Sequence, residues 1–138
     1  MMDQKTAQEL VNQAIEARER AYAPYSKFKV GAAILTKEGA VFPGCNIENA
    51  SYGATICAER VAVANMVSSG HTDPIAIAIC YNETEFALPC GICRQVLSEF
   101  ADQNEDLIVL MAKTDGTYQE TTLSTLLPGA FKLIDSKK

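Results

Sequence analysis

Asn46-Ile-Glu-Asn-Ala-Ser-Tyr-Gly-Ala-Thr-Ile-Cys-Ala-Glu-Arg60 is answered further along the chain by Pro89-Cys-Gly-Ile-Cys-Arg-Gln95. Together the two stretches carry three thiols, Cys57, Cys90 and Cys93, and one acid, Glu59, close to the first of them. A zinc ion that serves a reaction is usually held by three protein ligands with a fourth position open, whereas a structural zinc is closed by four. Three thiols and an acid fit the open pattern. Cys90 and Cys93 are three apart, so in a helix that starts at Pro89 and runs over Cys90 to Phe100 both sulfurs leave one face of the first turn. Cys57 likewise opens an apolar run, Val61, Ala62, Ala64, Met66 and Val67, which Gly70 stops. Two helix N-termini would then converge on one metal, and their free N–H groups and positive dipole ends favour thiolate over thiol. Glu59, two residues past Cys57, can lean over the open position without being a ligand, which is where a proton shuttle belongs.

Outward from these stretches the chain alternates between helical and strand patterns. Thr6 and Glu9 form a capping box, and Ala7, Leu10, Val11, Ala14, Ile15, Ala21 and Tyr22 follow at helical spacing, which predicts a first helix from about Ala7 to Tyr22, stopped before Pro24. Phe28 to Thr36 and Ala40 to Cys45, joined at Glu38-Gly39, read as a hairpin whose second strand, with Pro43, lies at an edge. Ile75 to Tyr81 is nearly all apolar, as in a strand buried on both faces near the middle of a sheet. The Cys90 helix leads into a second apolar run, Leu107 to Met111, so strand, helix and strand form a parallel crossover. Asp115-Gly116 turns the chain into an antiparallel last strand over Thr117 to Thr121, and Leu123 to Leu127 is a short helical turn before Pro128-Gly129. The expectation is an α/β fold, a three-layer α/β/α sandwich around a mixed five-stranded sheet, in a single domain over 1–138 with loose tails at 1–5 and 134–138.

Composition bounds the function. A chain of 138 residues is long enough for one real core. A net charge of −5 argues against partners rich in phosphate, because nucleic-acid binders draw on clustered Lys and Arg, and favours a small molecule. Five cysteines, no signal peptide and no apolar run of transmembrane length point to a reducing compartment, the cytoplasm, where thiols serve as ligands. Cys45 and Cys80 fall in strand-like runs and read as small buried hydrophobes. His71, the single histidine, follows the Gly70 stop in a polar loop and reads as a surface residue. Arg60 and Arg94, directly after Glu59 and Cys93, are candidates to donate to sulfur, since three thiolates leave a negative charge that would weaken zinc as a Lewis acid.

The pairing of Cys-x-Glu with Pro-Cys-x-x-Cys matches the signature of zinc nucleobase deaminases, with Cys in place of His as first ligand. The wider chain closely resembles the small homotetrameric cytidine deaminases in Tyr-Ala-Pro-Tyr-Ser (22–26), Lys-Phe-Lys-Val-Gly-Ala-Ala (27–33), Gly-Cys-Asn-Ile-Glu-Asn-Ala (44–50), Cys-Ala-Glu-Arg (57–60), Pro-Cys-Gly-Ile-Cys-Arg-Gln (89–95) and Leu-Leu-Pro-Gly-Ala-Phe (126–131). The resemblance implies the deaminase fold, one Zn2+ per subunit, and hydrolysis of cytidine and 2'-deoxycytidine to uridine and 2'-deoxyuridine plus ammonia, a step of pyrimidine salvage. It implies that Asn46 and Glu48 bind the sugar hydroxyls, that Phe28 packs against the base, that the Ala58 N–H meets the base carbonyl and that Arg60 donates to sulfur. Read locally, Asn46 and Glu48 serve equally well as turn residues. The resemblance further implies a homotetramer in which Phe131 closes the nucleoside pocket of a neighbouring subunit and Tyr52 lies at a subunit contact by the same pocket. Three alternatives remain: a blasticidin-type aminonucleoside deaminase, a structural zinc or regulatory module closed by His71, and a Cys-x-x-Cys redox protein, for which the chain lacks the usual aromatic context.

Overall fold

The computed structural model describes residues 2–101 and 105–133. Helix α1 (Gln4–Arg18) begins earlier than the capping box predicts, because Asp3 is its cap: Asp3 Oδ1 accepts the Thr6 N–H at 2.8 Å. Met2 packs against the core beneath α1, so residues 2–5 do not form the loose tail expected of them, while Met1 and 134–138 lie outside the described residues. The helix also ends four residues before Tyr22. Tyr22 is drawn away by a bridge to Ile47, in which its N–H donates to the Asn46 carbonyl at 2.9 Å and its carbonyl accepts the Glu48 N–H at 2.8 Å.

Five strands follow, β1 (Gly31–Thr36), β2 (Val41–Cys45), β3 (Pro74–Cys80), β4 (Ile108–Ala112) and β5 (Tyr118–Thr122). They form one mixed sheet in the order β2-β1-β3-β4-β5, with only β3 and β4 parallel. The central place of β3 and the edge place of β2 are as the sequence predicts. Pro43, paired with Ala33, has its carbonyl turned to Asn65 Nδ2 at 3.2 Å. Its nitrogen therefore also points off the sheet edge, and no ladder bond is lost.

The period of two sorts the strands between two cores. Ala33, Leu35, Ala76, Ala78, Leu110 and Ala112 face α1, where they meet Ala7, Leu10, Val11 and Ala14. Ala32, Ile34, Ile77, Ile79 and Val109 face the other side, under α2 (Ala58–Ser68) and α3 (Gly91–Phe100), where Ala62, Met66 and Leu97 complete the packing. These are the three layers of the expected sandwich. Full burial of one such branched side chain contributes roughly 1.5–3 kcal/mol, and β1 and β3 are covered on both faces. A short last helix, α4 (Leu123–Leu126), follows β5 directly.

Two glycines set how closely the layers approach. A Cβ on Gly31 would meet the Ala14 carbonyl at 2.0 Å, and one on Gly44 would meet the Ala58 carbonyl and the Ala62 nitrogen at 2.4 Å each. Helix α2 thus lies directly on β2, with no side chain between them. Strands β2, β3 and β4 share one direction, so their carboxyl ends open on one rim of the sheet, where a ligand site is expected in open α/β folds. The segments that lead to Cys57 and to Cys90 both leave from that rim.

Candidate active site

Cys57 and Cys90 are the N-cap residues of α2 and α3, and Cys93 lies in the first turn of α3. The two helices meet at their starts, as the sequence predicts. Cys57 Sγ and Cys90 Sγ are 3.8 Å apart, Cys90 Sγ and Cys93 Sγ 3.5 Å, and all three sulfurs lie within 4.8 Å of one another. Neither thiol makes the usual capping bond to the first backbone N–H groups of its helix. Both thiols are free to turn toward the third.

Glu59 is in the first turn of α2 and is only 4% exposed. Burial raises its carboxyl above the ordinary carboxylate value, against the opposite pull of its own backbone N–H, the Cys93 thiol and the Arg60 charge. Burial and then the Glu59 charge raise the Cys93 thiol. At Cys90 burial also works upward, but the N–H and thiol of Cys93 and the thiol of Cys57 outweigh it and hold that thiol below its ordinary value. Arg60, one turn from Cys57, donates from Nη2 to Cys57 Sγ at 3.4 Å, and this bond raises the guanidinium further above its ordinary value. Arg94 differs from the expectation placed on it. It makes no bond to sulfur; Nε donates to the Pro89 carbonyl and Nη1 to the Leu126 carbonyl, both at 2.8 Å. Its site on α3 points it back along the loop it follows, so it clamps the approach to Cys90 and α4 together.

A second group of contacts lies beside the thiols. The Ile47 and Ile56 backbones exchange hydrogen bonds at 3.0 Å, which folds Asn46–Glu48 back beside the Cys57 approach. Asn46 is buried, and its amide spans the facing chain: Oδ1 accepts the Val30 N–H and Nδ2 donates to the Phe28 carbonyl, both at 2.8 Å. Glu48 accepts the Tyr25 and Ser26 N–H groups at 2.9 and 3.1 Å and the Ser26 hydroxyl, and these bonds, the Ser26 hydroxyl first, lower its carboxyl below the ordinary value. Tyr25, Ser26, Glu48, Asn49, Tyr52 and Thr55 line an open depression there. Lys27 adopts φ +62°, a left-handed conformation that costs a side-chain-bearing residue energy, immediately before Phe28.

The family model of the cytidine and deoxycytidylate deaminase zinc-binding region matches residues 4–111. The chain belongs to that family. A cytidine deaminase of Halalkalibacterium halodurans is 50% identical over 128 residues, covering 93% of this chain and 96% of that one. A cytidine deaminase of Sporosarcina psychrophila is 44% identical over 128 residues, 93% of each. Among solved structures, the cytidine deaminase of Burkholderia pseudomallei superposes with a TM-score of 0.84 at 43% identity, covering 94% of this chain and all of that one.

A deaminase of this zinc-binding family needs a cage of the right size. A tetrahedral zinc at about 2.3 Å from each sulfur sets the sulfurs about 3.8 Å apart. The observed spacings of 3.5 and 3.8 Å fit that cage. His71, the proposed fourth ligand of a structural site, is instead beyond the far end of α2, about 16 Å of helix away from Cys57. It stacks on Phe42 and faces Glu38. The alternative of a zinc closed by His71 is thereby contradicted. Cys80 is fully buried and Cys45 partly so, both in strands and outside the thiol group.

Of the remaining sequence-predicted residues, Ala58, Phe28 and Tyr52 lie near the thiols or on the loops beside them, and Phe131 lies alongside the middle of α3. Ala58 is the first residue of α2, where a helix leaves N–H groups without an internal acceptor. Phe28 is half-exposed with its ring 5.1 Å from that of Tyr81. Tyr52 and Phe131 are 84% and 70% exposed. The Phe131 carbonyl accepts from Gln95 Nε2 at 3.0 Å, which holds the C-terminal segment to the helix that carries Cys93. Sequence reasoning missed Ser26, Tyr81 and Gln95. Ser26 and Gln95 sit inside the motifs already quoted, so the motifs could have found them; Tyr81, the residue just past β3, closes an apolar run and carried no signal.

Proposed function

We propose that this chain is a zinc-dependent cytidine deaminase that hydrolyses cytidine and 2'-deoxycytidine to uridine and 2'-deoxyuridine, releasing ammonia, with one Zn2+ per subunit on Cys57, Cys90 and Cys93. The observation that carries this reading is a three-sulfur cage of zinc's dimensions beside a buried carboxylate, within a family whose close relatives are cytidine deaminases. The metal, when bound, supplies Lewis-acid chemistry that makes a water nucleophilic near neutral pH.

The chain's own residues do the rest. Glu59 takes the first proton of the attacking water, and its raised carboxyl can hold that proton and pass it to N3 of the base; it then takes the proton of the new C4 hydroxyl and delivers it to the departing amino nitrogen. Water adds at C4, the C4–N bond breaks, and the amine leaves as ammonia. Arg60, bonded to Cys57, offsets thiolate charge. Asn46 fixes the backbone of Phe28 and Val30, so the ring that packs on the base is aimed by the same amide that faces the sugar. Glu48 is held charged by Ser26 and can accept from a sugar hydroxyl. A contact to the 3'-hydroxyl, which both sugars carry, would admit cytidine and 2'-deoxycytidine alike.

The described residues share one sheet with cores on both its faces, which supports a single domain. No helix among them is long and apolar enough to cross a membrane, and the five unpaired cysteines fit a cytoplasmic enzyme. Large exposed rings at Tyr52 and Phe131 support a homotetramer in which Phe131 completes a neighbour's pocket and Tyr52 lies at a subunit contact beside it. The deciding experiment combines metal analysis of the purified protein with loss of cytidine's ultraviolet absorbance, with and without chelator. One zinc per chain and chelator-sensitive turnover are expected. Turnover of an aminonucleoside antibiotic in preference to cytidine, or turnover without metal, would overturn the assignment.

A further inference from the structure

Tyr81 stands just past the end of β3, and contacts converge on it from three directions. Its carbonyl accepts from Arg18 Nε at 2.7 Å, which ties the strand end to the last turn of α1. Its ring packs on Phe28 with centroids 5.1 Å apart and planes tilted by 44°. Its hydroxyl accepts the Leu88 N–H at 3.2 Å, two residues before Cys90. The side chain also rests on the core beneath α2 and α3.

Each neighbour needs such a hold. Phe28 sits on a loop after the left-handed Lys27, and nearly half of its surface is open. An edge-tilted aromatic partner fixes a ring's orientation as well as its position. The chain from Tyr81 to Cys90 is a long excursion whose last residues must deliver a ligand. Pro89 is already locked in φ, and its carbonyl is held by Arg94. Pro89 has no N–H, so the Leu88 N–H is the last donor before Cys90, and the Tyr81 hydroxyl holds the approach two peptide units upstream of the carbonyl that Arg94 holds.

We propose that Tyr81 is a positioning residue for both halves of the site: its ring sets the tilt of Phe28, and its hydroxyl fixes the backbone that delivers Cys90. The inference rests on the reading above in which Phe28 packs on the base and Cys90 holds the metal. One rigid side chain then couples the base contact to the metal ligand.

The test uses full-length, zinc-loaded protein and two readouts, transfer of zinc to a chromogenic chelator and steady-state kinetics with cytidine. Tyr81→Phe deletes the hydroxyl and keeps the ring, and it should release zinc about three- to tenfold faster with only a small fall in melting temperature. Tyr81→Leu deletes the ring as well, and should raise KM for cytidine about three- to tenfold beyond the Tyr81→Phe value. In a Phe28→Leu background that added KM effect should largely vanish, because the two rings act as a pair. Zinc release from Tyr81→Phe at the wild-type rate overturns the hydroxyl's role. Equal KM in Tyr81→Phe and Tyr81→Leu, or full additivity with Phe28→Leu, overturns the ring's role. If Phe28→Leu alone leaves KM unchanged, the base-packing reading of Phe28 fails and the ring's role with it, whereas the zinc-release arm still judges the hydroxyl without reference to cytidine. If Tyr81→Leu does not fold, zinc release from Tyr81→Phe decides.

Discussion

At the scale of single residues, burial explains why two side chains of ordinary type behave unusually. Glu59 is enclosed, so its carboxyl binds a proton more readily than a surface glutamate does. Glu59→Gln keeps the shape and hydrogen-bonding reach but cannot take a proton. It should retain zinc and its melting curve while kcat for cytidine falls at least about 10²-fold, as expected when a positioned proton donor and acceptor is lost. Retained zinc with near-normal turnover would remove Glu59 from the reaction. Cys80 shows the same physics away from the site. Burial pushes its thiol from 9.0 up to about 11, an effect that the nearby Arg18 charge only partly opposes. Because the folded state holds the proton more tightly than the unfolded one, the contribution is fully present below about pH 9 and is lost as pH rises toward about 11. Cys80→Ala should therefore flatten the alkaline fall of stability over that interval, read as denaturation midpoints against pH. Parallel curves for the two proteins would show that Cys80 does not titrate there.

At the scale of elements, what the sequence made legible follows from periodicity and caps, and what it hid follows from contacts between distant segments. The apolar run at Ile75–Tyr81 and the Pro43 exception placed β3 in the middle and β2 at the edge, since burial on both faces and a missing N–H are written locally. The three thiols were legible for the same reason: two lie at helix starts and the third one turn on, so spacing alone aims them. The ends of α1 were misread because the true cap, Asp3, precedes the Thr6–Glu9 pattern and because Tyr22 is claimed by Ile47, a partner no local rule reveals. Arg94 was misassigned because its partners are carbonyls of Pro89 and Leu126, and the second is far away in sequence. Gly44 was read only as part of a motif, although it lets α2 rest on β2. Gly44→Val drives side-chain atoms into the Ala58 carbonyl and the Ala62 nitrogen and must lift the start of α2, the turn that carries Cys57 and Glu59. A loss of about 1–3 kcal/mol in denaturant unfolding is expected from the overpacking, together with weaker zinc retention. If zinc retention is normal despite the lost stability, the glycine serves packing alone.

At the scale of the whole molecule, the exposed rings of Tyr52 and Phe131 are the feature that a single chain leaves unexplained. In a homotetramer with composite sites, Glu59→Gln and Phe131→Ala damage different subunits' contributions to one pocket. When the two variants are mixed and allowed to exchange subunits, some sites regain an intact Glu59 and an intact Phe131, and activity at limiting cytidine should exceed the mean of the two parents. Demonstrated exchange without any gain would put Phe131 in its own subunit's pocket or outside any pocket. The cage of sulfurs has a consequence that reaches beyond the reaction. Cys57 and Cys90 open two helices where Ser, Asp or Asn would ordinarily satisfy the first N–H groups, and neither makes that bond. An ion on the three sulfurs would therefore tie the first turns of α2 and α3 together above the core that Ala62, Met66 and Leu97 share, and binding of such an ion is coupled to folding. A cell short of zinc would then hold a shorter-lived protein as well as an idle one, because chains made without the ion lose one of the ties between α2 and α3.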